Sequence, residues 1–520
     1  MKKYICLIVI ASLLSACGES WLEEERFDKV DSQNLYSSTE GLETAVNGLY
    51  SLTRQYFRFR DSDINNGASE NGAYWFYCAH DLAHVRTFNE AQIYRSGMRA
   101  DALPTGNWNR PYQIIDRASG IINSARELDM PDGDRQRIIS EAKTIRAWAY
   151  MRLWTIFDNI LLDTIPTTPH NAFDPIEYKP ASKADVIRLI SSDLDYAISH
   201  LSYTADPGVV NLGLARALRA EIAMWAEDYQ EAANQCDALV ESGIYQLMPI
   251  SEVFGSNVNH RETLFAFQFD ELSGGSSNLA GGDGSVIGSC FQARFYEIAL
   301  SGDPVPPIIE AAEWGGNCYG WTYPNDYLRS LYDEANDLRF RNYFYPEQLV
   351  GNNPASPYYQ QPLPGTPPYS TQYRQYHWSL MKYRDLNKRP ATAVSYKPLV
   401  MYRLAETYIT GAEAHWRLGN TTKAAEYLNA VRSRAGIPDV TTVDLQAIMD
   451  EHARELCFEG KRWFFLKRIG KLVEQVNAHL TYGATKRSTE AMSMKPHQVR
   501  WPIPQVQINA MGTFPQNEGF

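Results

Sequence analysis

The sharpest chemical signal in the chain is HDLAH, where His80 and His84 stand four residues apart with Asp81 beside the first. On a helix that spacing puts two imidazoles on one face, as in the zinc-binding HExxH motif. Asp81 is a shorter base than glutamate, and no second motif supplies a third ligand. Solvated or hydrogen-bonded histidines are the simpler reading, so no metal ligand is assigned. Asp61-Ser62-Asp63-Ile64-Asn65 has the alternating oxygens that begin a calcium loop, yet Asn66 takes the glycine position and Gly72 the place of the closing glutamate. A looser cation site or a capped polar turn remains. The GGDG run at 281–284 lacks the lysine of a phosphate-binding loop, and neither a GxGxxG after a strand-like run nor a GxSxG elbow occurs. Glycoside hydrolysis needs two carboxylates at a set separation, and among 61 acidic residues nothing marks out a pair. The expectation is no catalytic residue, no cofactor and no enzyme.

Seven cysteines include Cys6 and Cys17 near the N-terminus; the five left, Cys78, Cys236, Cys290, Cys318 and Cys457, are odd in number and scattered, which argues against a disulfide framework. Cys236 and Cys457 fall within helical apolar patterns and read as core. In HARELCFEGKRWFFLKRIG, Glu455, Glu459, Lys461, Arg462 and Arg468 alternate charge at helical spacing, which predicts an ion network tying the last helices together. The compositional surplus is aromatic, with 12 Trp, 32 Tyr and 20 Phe, and favours surfaces that bind by stacking.

The elements that must position these rings are mostly helical. Ile138, Ala142, Ile145, Ala149, Leu153 and Ile156 form one stripe at three- and four-residue spacing, and 183–201, 212–227 and 230–241 repeat the pattern. Met401, Leu404, Ala405, Tyr408, Ala412 and His415 make another stripe, which stops at Gly419-Asn420 before a further helix over 423–434. Two of these pairs, around Ala220 and around Gly411-Ala412, have the small-residue contacts and short turn of a tetratricopeptide hairpin. They lie too far apart for a tandem array. Between them, from Gln268 to about Lys397, helical periodicity fades into a Gly/Ser-rich run and a proline-rich run that cannot be helix. Aromatics crowd there, including Trp314, Tyr319, Trp321, Tyr323, Tyr327, Tyr358 and Tyr376. A second cluster, Tyr74-Trp75-Phe76-Tyr77, also lies outside the hairpins.

The predicted fold class is predominantly α, with dispersed tetratricopeptide-like hairpins and a large loop-rich insertion. The divisions are a signal at 1–16, an N-terminal helical region at 17–267, the insertion at 268–397 and a C-terminal helical region at 398–520, all in one integrated fold. Met1-Lys2-Lys3, an apolar run from Tyr4 to Leu14 and Leu14-Ser15-Ala16-Cys17 have the pattern of a bacterial lipoprotein signal, with cleavage before Cys17 and lipid on its thiol. An ordinary secretory signal with an incidental cysteine is the alternative. The apolar run is too short to span a bilayer, and no later stretch is long enough, so the anchor would be lipid alone. A net charge of -12 with no basic segment sets nucleic acid aside as a partner.

With those residues laid out, the chain resembles the SusD/RagB family of Bacteroidetes outer-membrane lipoproteins. The pieces that carry the resemblance are Cys17, AVNGLY from Ala45, WNRPYQIIDRASGIIN from Trp108, EAKTIRAWAYMRLWTIFDNILLDTIP from Glu141, RETLFAFQF from Arg261, YRLAETYITGAEAHWRLG from Tyr402, LNAVRSRAG from Leu428, RELCFEGKRWFFLKRIG from Arg454 and WPIPQVQINAMGTFPQNEGF from Trp501. Departures at Glu451-His452-Ala453 and at Phe465 touch helix packing only. The resemblance implies a cell-surface, lipid-anchored protein of the outer membrane that binds glycans and acts as a lid on a SusC-like TonB-dependent transporter. A peptide-binding role is the nearer alternative, a surface glycoside hydrolase the further one. Glu23-Glu24-Glu25 resembles a surface-export signal of these bacteria. The resemblance also implies a ligand platform drawn from one loop in each aromatic region. Trp75, Trp314 and Trp321 are its leading candidates, Tyr77 and Tyr319 join them, and Asn71, Asn317 and Asp326 are available to orient a ligand.

Overall fold

The structure, a computed structural model, describes residues 35–58, 74–85, 103–168, 171–175, 177–271, 284–300, 302–346, 348–364, 374–483 and 494–520. Cys17, the Glu23-Glu24-Glu25 run, the Asp61–Asn65 motif and Asn71 lie outside the described residues.

The elements run α1 (Thr39–Phe57), α2 (Trp75–Cys78), β1 (Ala83–Val85), α3 (Leu103–Glu127), α4 (Asp132–Phe157), α5 (Lys183–His200), α6 (Leu212–Ala226), α7 (Tyr229–Glu241), α8 (Ile250–Val253) and β2 (Thr263–Phe267). The insertion follows with α9 (Ile287–Phe291), β3 (Thr322–Pro324), α10 (Asp326–Ser330), α11 (Leu338–Tyr343), β4 (Phe344–Tyr345) and β5 (Ser379–Leu380). The chain closes with β6 (Leu399–Arg403), α12 (Leu404–Arg417), α13 (Thr421–Arg434), α14 (Leu445–Leu456), α15 (Arg462–Arg468), α16 (Leu472–His479), β7 (Thr481–Tyr482) and α17 (Gln505–Met511). The fold is predominantly α, as expected, and strands occur only as short pairings.

Local sequence explains where the helices begin. Ser38, Ser182, Asn211, Asp228 and Asp444 each accept a backbone N–H of the first turn and so cap α1, α5, α6, α7 and α14. Pro131 precedes α4, whose first turn carries Asp132 and Asp134 at the positive end of the helix dipole. The sequence shows one apolar stripe on α4, but from Ile138 to Phe157 every residue is buried. Two of its buried cations share one carboxylate: Arg146 makes a two-point ion pair with Asp193 of α5 at 2.8 and 2.9 Å, and Lys143 donates to the same group. One difference falls at Met401, which stands in β6 rather than on the helical stripe. Leu399 to Arg403 pair antiparallel with β2, so the helix starts only at Leu404. Consecutive apolar residues fit a buried strand and a buried helix alike, and the partner β2 decides between them.

The two hairpins, α6 with α7 and α12 with α13, dock on each other although far apart in sequence. Gly411 permits the approach, because a Cβ there would stand 2.7 Å from the Tyr427 ring and 3.1 Å from Cys236. Asp237 of α7 then receives the Tyr427 hydroxyl and, at 2.9 Å, pairs with His415.

The charged segment near the C-terminus does form an ion network, and it reaches further than the last helices. Glu455 accepts from Arg403 at 2.6 Å, Arg339 at 3.0 Å and Tyr343 at 3.0 Å, while Glu459 accepts from Lys382 at 2.6 Å and Arg403 at 2.8 Å. Arg462 holds Asp81 at 2.7 Å and Arg468 holds Glu413 at 2.6 Å. Burial alone would raise the Glu455 carboxyl, but Arg434, Arg403 and Arg339 outweigh it and keep the group well below its ordinary range. Arg339, Tyr343 and Lys382 belong to the insertion, so the network fastens the loop-rich segment onto the helical frame.

Candidate ligand-binding face

The histidines of HDLAH do not share a helix face. His80 lies in the turn after α2, pairing through Nε2 with the Tyr77 carbonyl at 2.9 Å and accepting the Leu82 N–H through Nδ1 at 3.2 Å. Burial holds it down to about 4, a neutral ring at physiological pH. His84 lies in β1 and pairs with Thr481 at 2.9 Å. Among the described residues no three His, Cys, Asp or Glu side chains gather as a metal set. Cys78, Cys236, Cys290, Cys318 and Cys457 are all free and buried.

The two aromatic regions meet. Tyr74 bonds Thr322 through its hydroxyl at 2.7 Å, and its ring contacts Trp75 at 5.9 Å and Trp321 at 6.2 Å, both edge-on. Trp321 in turn stacks on Tyr319 at 4.6 Å and 23°. Trp75, Trp321 and Tyr319 are therefore linked through Tyr74 into one aromatic assembly. Trp75 and Tyr319 are half-buried, while Trp321 is 3% exposed and backs them. Tyr77 is also 3% exposed and packs against Gly460, whose left-handed φ of 72° and missing side chain make room for the ring. Trp314 belongs to a neighbouring cluster, edge-on to Phe295 at 5.8 Å and stacked with Tyr345 at 6.4 Å.

Beside this assembly a cleft of about 220 Å³ is lined by Tyr323, Asp326, Tyr327, Arg329, Trp378 and His479 among others. Tyr323 is sandwiched between His84 and His377, each at 4.4 Å. Burial holds His377 down to about 4, so that ring is uncharged at physiological pH. Half-buried Tyr327 stacks on His479 at 3.6 Å, and Arg329 lies over Trp378 at 4.5 Å. Asp326 and Arg329 are exposed and add a carboxylate and a guanidinium to the ring-lined surface. Flat apolar faces beside exposed hydrogen-bonding groups suit a ligand that is itself apolar on its faces and polar at its edge.

The loop that carries Trp314, Tyr319 and Trp321 is held from behind. Lys388 donates to Ser289 Oγ, to the Gly315 carbonyl and to the Asn317 carbonyl, each at 2.8 Å, and Tyr319 and Trp321 donate their N–H groups to Ser289 and Cys290 at 2.7 and 2.9 Å. Gly316 and Gly320 turn left-handed against backbone, where a Cβ would lie 2.8 Å from Pro390 O and 2.7 Å from Arg374 O. Burial pushes the Lys388 ammonium down to about 8. Sequence reasoning gave Lys388 and His377 no role, and a single lysine or histidine in an irregular segment carries no signal that would have marked it. Of the expected orienting residues, Asn317 donates to Glu310 at 3.3 Å and Asp326 sits in the first turn of α10.

Docked helical hairpins bearing a loop-built aromatic face define a binding scaffold of tetratricopeptide-like type. Comparison with known proteins makes the assignment specific: the SusD family matches residues 301–520, a second family described as starch-binding associating with outer membrane matches residues 21–218, and the chain belongs to the SusD/RagB family. A SusD-like protein of Bacteroides ovatus is 24% identical over 511 residues, covering 89% of this chain and 81% of that one. Among solved structures, a laminarin-binding SusD-like protein superposes with a TM-score of 0.70 at 22% identity, covering 93% of this chain and 100% of that one. Surface glycan-binding protein A of Bacteroides thetaiotaomicron, solved with laminarihexaose, superposes with a TM-score of 0.69 at 20% identity, covering 92% and 99%. At these identities the superpositions establish the fold.

Proposed function

We propose that this protein captures glycans at the cell surface and hands them to a SusC-like TonB-dependent transporter of the outer membrane. The observation that carries the reading is the joining of Trp75 and Tyr319, distant in sequence, into one partly open aromatic assembly through Tyr74 and Trp321. Sugar C–H faces stack on such rings, and the flanking carboxylate and guanidinium are placed to take hydroxyls. The family relationship and the laminarin-binding and starch-binding names of its members support a glycan over other ligands. Trp314 on its neighbouring cluster is assigned the edge of the same face, and Tyr77 and Trp321 are assigned a supporting role. No group is assigned to hydrolysis, because this function needs none. Among the described residues no helix is long and apolar enough to cross a membrane. The proposed anchor is lipid on Cys17.

The test uses the full chain. Native electrophoresis through gels containing laminarin or starch should retard the protein, and prolonged incubation should leave the polysaccharide at its original length. Migration unchanged by either glycan, together with capture of a peptide pool, would transfer the reading to peptides. Shortened products that vanish in a carboxylate variant would transfer it to a hydrolase. In cells, Cys17→Ala should release the protein from the membrane fraction, and the wild type should co-purify with its transporter.

A further inference from the structure

A cleft of about 460 Å³ opens between α3, the strap at 161–167 and α17, away from the aromatic assembly and sharing no lining residue with it. We infer that this cleft is a second ligand site, built for a neutral, sugar-sized polyol. Three segments far apart in sequence converge on it: Trp108, Tyr112 and Asp116 from α3, Asp163 and Ile165 from the strap, and Gln507 from α17.

The walls are fixed before any ligand arrives. The Tyr112 hydroxyl accepts the Leu161 N–H at 2.8 Å and donates to the Leu161 carbonyl at 3.0 Å. Thr167 N–H donates to Asp116 Oδ1 at 2.8 Å, Asp163 N–H to the Tyr150 hydroxyl at 2.9 Å, and Gln507 Nε2 to Asn109 Oδ1 at 3.1 Å. A strap tied at both ends to α3 and α4 leaves little to be ordered on binding, which removes one of the main costs of association.

The lining decides the chemical class. The volume falls within the roughly 300–1,000 Å³ of small-molecule sites. Asp116 and Asp163 line the cleft and no Lys, Arg or His does, so an anionic ligand meets like charge. Each of these carboxylates gives one oxygen to the strap, Asp116 to Thr167 and Asp163 to Ile165 at 2.9 Å, and keeps the other for a ligand. Asn109, Gln113 and Gln507 add amide N–H donors to these acceptors. A bare ammonium would use only acceptors, whereas a hydroxyl both donates and accepts and matches the mixture. The half-buried rings of Tyr112 and Tyr178 and the Ile165 side chain, 69% exposed, supply apolar surface for the C–H faces of a pyranose.

The inference does not rest on the aromatic face and is tested separately from it. The probes are glucose, galactose and mannose, with glucosamine and glucuronate as charged controls, followed by ligand-detected NMR saturation transfer. The protein is the full chain carrying Trp75→Ala and Tyr319→Ala. At least one neutral sugar should still give a signal, glucuronate should give none, and adding Asp116→Asn or Tyr178→Ala should weaken the signal about fivefold or more, a change of about 1 kcal/mol, at an unchanged melting temperature. Asparagine can still accept from Thr167, so the strap keeps its hold. Absence of signal from all three neutral sugars, indifference to both cleft substitutions, or a response to glucosamine alone would each overturn the assignment. Failure of glycan gels to retard the wild-type chain, with the sugar signal intact at the cleft, would overturn the aromatic face and leave the cleft standing.

Discussion

Trp75 and Tyr319 keep part of their rings open, while Trp321 and Tyr77 are closed in, so one substitution type should separate two roles. Truncating Trp75 or Tyr319 to alanine should weaken glycan retention about fivefold or more, since stacking on a ring contributes about 1–3 kcal/mol by the measure of bases on aromatics. Their melting temperatures should stay near wild type. Trp321→Ala should instead cost about 3–5 kcal/mol of stability, as expected for a buried aromatic. Melting curves alongside affinity gels check this; normal retention by both Trp75→Ala and Tyr319→Ala would move the platform to Trp314 and Tyr358. Lys388 gives a pH-dependent readout at the same scale. As an ammonium it has three donors for three oxygens; once neutral it has two. Its folded value of about 8 lies below the ordinary lysine value, so above pH 8 the folded chain has lost a proton that the unfolded chain still holds. In that window its contribution to stability rises with pH, while the loop it ties loses a donor. Glycan affinity should therefore fall between pH 7 and about 9.5 in the wild type. Lys388→Met should bind weakly at both pH values, and calorimetric titration with laminarin measures the difference. A wild-type affinity as flat with pH as that of the variant would remove Lys388 from the platform.

At the scale of elements, the buried network around Glu455 is the strongest constraint. Arg403 touches Glu262, Glu455 and Glu459 at once, and all three carboxylates are buried. Arg403→Met should cost about 3–5 kcal/mol by removing the cation that these three buried carboxylates share. Urea midpoints would show it, and a loss of less than about 1 kcal/mol would mean that Arg339 and Arg434 suffice. Half of this network was legible in the sequence. Glu455, Glu459, Lys461, Arg462 and Arg468 sit on one short segment and announce a charged cluster, but Asp81, Glu262, Arg339, Lys382 and Arg403 come from elements that only the fold assembles. The same limit runs through the helices. Periodicity located α4 to α7, α12 and α13 because a buried stripe repeats within one element. It missed the burial of α4 on every face and the strand at Leu399–Arg403, because both are decided by neighbours. The aromatic face follows suit: Trp75 and Trp321 stood out by type, while their meeting through Tyr74 and the tether from Lys388 left no local pattern.

Taken whole, the main apolar core of the molecule runs from Leu42 to Phe514 and includes Phe291, Leu380 and Tyr383 of the insertion, which also holds a smaller cluster of its own around Phe295, Ile308 and Leu349. The loop-rich segment at 268–397 is therefore expected to fold only with the helices on either side, although its composition sets it apart. Removing it would strip Arg339 and Tyr343 from Glu455 and Lys382 from Glu459, and would uncover the core beneath α9 and β5. Glu455 and Glu459 would keep Arg403, so the greater loss is the apolar surface uncovered, and domains stable by only about 5–15 kcal/mol have little margin for it. The intact chain should melt in one calorimetric transition. A chain in which 268–397 is replaced by a short flexible linker should keep much of its far-ultraviolet helical signal and lose its near-ultraviolet aromatic signal, the mark of helices without fixed packing. Two resolved transitions in the intact chain, or a native aromatic spectrum in the shortened one, would show that the helical frame stands alone and that the ligand face is an attachment to it.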